Sequence, residues 1–255
     1  MKTIIPILFT CLLITSCSED NDDTATQVNI TFNFTHNWDG TSVSNANFNS
    51  IQYTNANGEQ LSITKLRYII SKITFQKSNG EKTLLDGYNL VDVTNGTNLS
   101  FTPTATIPSG NYSHVYFTFG FDNDANYNGN YPDLNSASWN VPSMLGGGYH
   151  FMQLEGKFID NTATETGYAY HAIRAVHNSK TPQEFQDTFF EVDLGAVTIT
   201  NHATFNIEMN IAEWFKNPNT WDLNVLNNML MPNFNAQVMM YENGQHVFGL
   251  KSFTP

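Results

Sequence analysis

Apolar residues recur at every second position in short runs along this chain, and turn-forming residues cut those runs apart. Val28, Ile30, Phe32 and Phe34 alternate with polar residues, as do Val115, Phe117 and Phe119, and later Phe205, Ile207 and Met209. Period two is the repeat of a strand with one face buried. The punctuation is the kind that reverses a chain: Asn57-Gly58, Ser78-Asn79-Gly80, and Pro108-Ser109-Gly110. Strands are expected at 28–34, 51–54, 61–63, 66–75, 88–93, 101–107, 114–119, 149–159, 168–175 and 203–209, with two more at 234–241 and 247–253 around Asn243-Gly244. Helix signals come late and are short. Asn210 reads as an N-cap with Glu213 as its capping-box partner, the helix stopping before Pro218, and a second short helix is expected over 221–230. The pattern specifies an all-β chain, a single β-sandwich of Ig-like or Greek-key type with one or two short helices near the C-terminus.

The N-terminus reads as an address. Lys2 precedes an apolar stretch from Ile4 to Ile14, too short to cross a bilayer, which takes about 20 residues. It ends in Ile14-Thr15-Ser16-Cys17, a pattern that resembles the lipobox of a bacterial lipoprotein signal. Cleavage there makes 1–16 a signal peptide, 17–27 a lipidated tether and 28–255 the domain. Stable anchoring through Cys17 needs at least two acyl chains, each buried CH₂ contributing about 0.8 kcal/mol. The following Ser18-Glu19-Asp20-Asn21-Asp22-Asp23 cannot bury itself. Placed directly after a lipidated cysteine, it resembles the export signal of Bacteroidetes lipoproteins. The expected location is the outer membrane, facing the cell exterior.

Charge and cysteine content narrow the chemistry. Eleven Lys and Arg stand against 23 Asp and Glu, a net charge of −12, which repels nucleic acid and favours cations. Cys11 leaves with the signal and Cys17 is lipidated, so the domain has neither a disulfide nor a thiolate metal ligand. No nucleophile elbow, phosphate loop or dinucleotide fingerprint occurs. The chain reads as a binding protein and not an enzyme.

Residues 131–158 are the most informative stretch. Three glycines, Gly146, Gly147 and Gly148, tolerate positive φ and let the backbone fold tightly against something else. They lead into a strand on which His150 shares a face with Met152, Leu154 and Phe158. A histidine on an apolar strand face is either a core residue satisfied by a carbonyl or a metal ligand. The next strand carries His171. A hairpin joining the two with Asp160-Asn161 as its turn sets His150 opposite His171; an eight-residue loop at 160–167 sets it opposite His177. Either way two imidazoles face each other, and a ligand imidazole is expected to lose metal near its ordinary pKa of about 6.5.

Two other patterns compete for attention. Asp124, Asn126, Asn128 and Gly129 match half of a calcium loop, but Asn135 stands where the bidentate glutamate belongs, so an Asx-rich surface loop is the plainer reading. The methionines Met144, Met152, Met209, Met229, Met231, Met239 and Met240 suit a soft Cu(I) ion, or fill the core.

FTHNWDG at 34–40, LRYIISKITF at 66–75, GGGYHFMQLEG at 146–156 and YAYHAIRA at 168–175, in this order, resemble the methanobactin-associated copper-binding (MbnP-like) domain family, in particular its Bacteroidetes-type surface lipoproteins. The resemblance runs from about residue 28 to the C-terminus. It implies an all-β domain holding copper through histidines, here His150 and His171, with His36 as a third candidate beside Trp38. Some members also use kynurenine, an oxidised tryptophan, as a ligand. This chain has no Trp-x-His pair; Trp38 follows His36 instead.

Two functions follow. The first is a surface-anchored, non-enzymatic copper-binding lipoprotein in metal acquisition or handling, with a di-haem peroxidase-like partner. The second is a metal-free surface β-sandwich that binds glycan or protein through exposed aromatics and Asn-rich loops, with a porin as partner.

Overall fold

The strand Lys65–Gln76 is the backbone of the larger sheet. It buries Leu66, Tyr68, Ile70, Ile73 and Phe75 in the main core and Ile69 in a second core on its other face, so it is a strand covered on both faces. The computed structural model describes residues 25–255; the expected signal 1–16, Cys17 and the acidic run at 19–23 lie outside the described residues. Along one edge Lys65–Gln76 pairs antiparallel with Lys82–Asp92. Its other edge is shared, residues 65–68 pairing with Met152–Ile159 and residues 70–76 with His114–Phe119. A bulge at Lys72, whose φ is 48°, shifts the register on both sides and turns its ammonium onto Asp122. Glu165–Ala172 and Phe190–Asp193 extend the sheet outward.

A second sheet is built on Ile30–Trp38, which pairs with Ala203–Asn210, Thr41–Val43 and Ser100–Phe101, while Phe248–Thr254 lies on the outer edge of Ala203–Asn210. The Ile30–Trp38 and Ala203–Asn210 strands run parallel, so the chain crosses the whole domain between them. The two sheets face each other through aromatic side chains. Phe75 meets Phe205 at 6.0 Å, Phe34 meets Tyr68 at 6.3 Å, and Phe117 meets Phe248 at 5.4 Å between ring centroids. Each such pair contributes about 0.5–1.5 kcal/mol beyond the area it buries. The architecture is the all-β sandwich that the alternation predicts.

Four local expectations are corrected. Residues 234–241 are not a strand but the start of a helix, Phe234–Gly244. Asn233 caps it by accepting from the Ala236 amide, and the buried face is Ala236, Gln237, Met240, Asn243 and Gly244. Two buried amides in that face disguise its helical period. Residues 221–230 form turns instead of a helix, because Asp222 accepts from the Asn224 amide and Glu59 from the Leu223 amide. The strand at 101–107 is reduced to two-residue pairings at Ser100–Phe101 and Ile107–Pro108. The hairpin after Met152–Ile159 takes neither predicted register. Asp160 closes a loop of intermediate length, 160–164, by accepting from the amides of Thr162 and Thr164, and Gln153 stands opposite His171.

The outer face of the larger sheet, away from the sandwich core, is covered by the chain at 121–149. Ile69, Phe121, Leu134, Trp139 and Tyr149 make a small second core there, and Val141, Leu145, Ile173 and Val176 a third. The histidine pair lies alongside these two satellites.

Candidate metal centre

Three backbone devices bring His150 to its place. Gly146, Gly147 and Gly148 have φ of 95°, 71° and 76°, a left-handed run that only glycine adopts at low cost. The close approach predicted for them is to the Asx-rich loop: the Gly148 amide donates to Asn128 Oδ1 and the Tyr149 amide to Asn126 Oδ1, both at 2.8 Å. Those asparagines therefore hold the glycine turn. The third device is a break in the strand's alternation. Phe151 and Met152 are consecutive, and both are buried in the main core. His150 is thus not on the face of Met152, Leu154 and Phe158; it is turned to the opposite side of the sheet, towards His171.

Gly148→Ala tests the close approach. An added Cβ at Gly148 would collide with the Asn126 side chain and lie 2.9 Å from its carbonyl oxygen, whereas at Gly80, with φ of 86°, it would meet nothing. Gly80→Ala is expected to destabilise by about 1 kcal/mol through backbone strain alone. Gly148→Ala is expected to destabilise by about 2–3 kcal/mol, the excess coming from the clash. Urea denaturation distinguishes them, and equal losses would refute the close-approach argument.

On the outer face, Arg67, Gln153 and His171 form a row across three strands. Arg67 donates to Gln153 Oε1 at 2.6 Å, and its guanidinium lies 4.9 Å from the centre of the Trp139 ring. His150 and His171 rings are 5.2 Å apart and nearly perpendicular, at 86°. Each ring is oriented by an acceptor. His150 Nδ1 donates to the Trp139 carbonyl at 2.9 Å, which leaves Nε2 as the lone-pair nitrogen. That Nε2 is buried and has no hydrogen-bond partner. His171 Nε2 donates to Glu155 Oε1 at 2.9 Å, which leaves Nδ1 with the lone pair.

The electrostatics keep His150 neutral. Its pKa is lowered to about 4, chiefly by burial and then by His171 and Arg67, with the Trp139 carbonyl and Glu155 in partial opposition. Proton competition at His150 is therefore moved well below the 6.5 of a free imidazole. Glu155 is held near 2, chiefly by its hydrogen bond from His171 and then by Lys65, whose ammonium is 2.8 Å away. An ionised carboxylate on the far nitrogen of an imidazole fixes the tautomer and raises its basicity toward a metal.

His36 is brought elsewhere. Its Nε2 shares a 3.0 Å hydrogen bond with Tyr68 Oη inside the sandwich core, and Tyr68 points to the opposite face of its strand from Arg67. A full sheet separates His36 from the pair. His177 also lies apart, stacked on Phe234 with centroids 3.6 Å apart. Among the described residues, no group of three His, Cys, Asp or Glu side chains is arranged to hold a metal ion.

Two contributors escaped the sequence reading. Trp139, not Trp38, is the tryptophan beside the histidines, its ring 5.8 Å from that of His150 and its indole Nε1 buried without a partner. Gln237, 1% exposed on the C-terminal helix, accepts from the Ile173 amide and donates to the His171 carbonyl, fixing the strand end that carries His171. Only a polar residue at a buried helical spacing, with the helix already recognised, would have signalled it.

The class defined so far is a β-sandwich with a paired-histidine site on the outer face of its larger sheet. The family model described as MbnP matches residues 27–239, most of the chain, and the protein belongs to the MbnP family. A solved structure, MbnP from Methylosinus trichosporium, is similar with a TM-score of 0.48 and 12% identity, over 74% of this chain and 78% of that one. No curated protein matches the chain.

Proposed function

We propose that this protein binds copper without catalysing a reaction, holding the ion between His150 Nε2 and His171 Nδ1 as part of metal acquisition or handling. The observation that carries the reading is the orphaned His150 Nε2. A buried nitrogen lone pair without a partner costs about 1–3 kcal/mol, and a metal ion would satisfy it. The spacing agrees. A metal ion sits about 2 Å from an imidazole nitrogen, so two rings sharing one ion have centroids about 5–6 Å apart, and here they are 5.2 Å apart. Membership in the MbnP family and the resemblance to methanobactin-associated copper-binding domains support copper as the ion. Two imidazoles fall short of the four donors Zn(II) takes, whereas Cu(I) accepts fewer. Titration of the purified protein with Cu(I) against a chromogenic chelator tests this. Tight uptake at the pair is expected; absence of uptake would leave the second function, surface recognition of glycan or protein.

The same reading places the protein at the outer membrane, tethered through acylated Cys17 and facing outward. It is supported by the lipobox-like residues before Cys17 and the acidic run after it. Cys17→Ala is expected to move the protein from the membrane to the soluble fraction and to abolish palmitate labelling. Unchanged membrane association and labelling would exclude the anchor.

A further inference from the structure

The methionines of the domain differ in environment: Met231 and Met239 are half-buried, Met231 against the third core. Met152, Met209 and Met240 are buried to within 1% and fill the core. Met144 and Met229 are 74% and 75% exposed, so packing does not account for them. Met229 also has φ of 53°, a left-handed conformation in which a long apolar side chain is an outlier and in which Gly or Asn is the ordinary choice. Neither burial nor backbone geometry favours methionine there. What remains is the chemistry of the thioether.

Both side chains line one concavity of about 540 Å³ together with Met231, Leu145, Pro232 and His171. They arrive from separate parts of the chain: Met144 from the turn Ser143–Leu145, whose Met144 carbonyl accepts from Gln183 at 2.9 Å, and Met229 and Met231 from the segment before the C-terminal helix. Convergence of three thioethers from two segments is not a product of local sequence repetition. His171 forms part of the wall and also stands 5.2 Å from the His150 ring, so the concavity adjoins the histidine pair.

We propose that Met144, Met229 and Met231 form a second, soft-metal site that takes Cu(I) from solvent at the mouth of this concavity, beside the histidine pair. This rests on the copper reading above. Thioethers select Cu(I) over harder divalent ions, and an unbranched side chain with three rotatable bonds can close on an ion much smaller than the concavity. The net charge of −12 raises the local cation concentration in support. The exposed thioethers of Met144 and Met229 suit capture and release, while the buried His150 imidazole suits retention.

The test uses the purified protein labelled with ¹³C at methionine methyls, with Ag(I) as a redox-inert soft probe and Zn(II) as control. Ag(I) is expected to shift the methyl signals of Met144, Met229 and Met231 but not those of Met152, Met209 and Met240, and Zn(II) to shift none. The response is expected to persist in His150→Ala. Combined replacement of Met144, Met229 and Met231 by Leu is expected to weaken a second Cu(I) equivalent at least tenfold while the first is retained. Copper binding with no response at these three methyls would overturn the thioether site and leave the histidine site standing. No metal binding anywhere would overturn both. Methyl shifts caused by an apolar dye and not by Ag(I) would make the concavity an apolar-ligand site and overturn the proposal.

Discussion

His150→Ala and His171→Ala are each expected to lower Cu(I) affinity at the paired-histidine site at least about 100-fold, with His202→Ala unchanged. The expectation follows from counting donors. A site whose nitrogen donors are two imidazoles loses half of them with either change, and changes to groups that merely orient a ligand already cost about 10–100-fold. The two variants differ in what else they remove. His150 is buried, and its loss leaves the Trp139 carbonyl without the imidazole N–H. His171 is partly exposed, and its loss frees Glu155, which keeps Lys65 at 2.8 Å. His202 is exposed and accepts from the Asn29 amide, far from either ring, so it serves as the control. Glu155→Gln separates ligation from orientation. It keeps an oxygen for His171 but removes the charge, and is expected to weaken binding about tenfold with both imidazoles present. The measurement is a competition titration with a chromogenic chelator, with circular dichroism to confirm folding. A folded His150→Ala/His171→Ala double variant that binds copper as the unaltered protein does would exclude the pair.

How much of this arrangement was legible in the sequence depends on the range of the interactions involved. The strands 30–38, 65–76 and 203–210 were legible because each alternates along its own length, and the hairpin of Tyr53–Thr54 with Gln60–Leu61 because Asn57-Gly58 sits between them. Proximity of His150 and His171 followed from two consecutive strands. The details did not, since they depend on single side chains acting across the chain. Asp160 closes the loop 160–164 through the Thr162 and Thr164 amides and sets a register between the two that counting residues offers. Phe151 and Met152 both turn inward, and this slip moves His150 to the other face of the sheet. The helix Phe234–Gly244 was hidden because Gln237 and Asn243, both buried, serve distant carbonyls and so occupy positions where a hydrophobic period would be sought. Trp139 carried no local sign, since its links to the site are its carbonyl's hydrogen bond from His150, its ring beneath Arg67 and the isolated pairing of Asn140 with Tyr149. His36 shows the opposite failure. Its neighbourhood to Trp38 was real, but sequence alone does not say which side of the larger sheet a residue of the smaller one will meet.

His36 in its actual place carries a second large expectation, the loss of stability in mild acid. The imidazole is 4% exposed among Phe34, Tyr68 and their neighbours, and burial lowers its pKa from 6.5 to about 4. Its hydrogen bond is to a neutral phenol, since burial also raises the Tyr68 pKa, so no carboxylate there rewards protonation. The sign follows from linkage. Between about pH 6.5 and 4 the unfolded chain takes up a proton that folded His36 refuses, so the unfolded state is favoured as pH falls. The contribution of neutral His36 is complete above the unfolded pKa and is progressively lost through this window. The gap between 6.5 and about 4 converts to about 3 kcal/mol by pH 4, a large share of the 5–15 kcal/mol typical of a folded domain. His150 adds a loss of the same sign in metal-free protein, because its pKa is lowered in the same direction. His36→Gln isolates the first contribution, since glutamine is neutral throughout and His150 is common to both proteins. Urea denaturation of metal-free protein is expected to show the unaltered chain losing about 3 kcal/mol more than His36→Gln between pH 7 and pH 4. Parallel losses in the two proteins would mean that His36 protonates in the folded state as freely as in the unfolded one, and would remove it from the core of the argument.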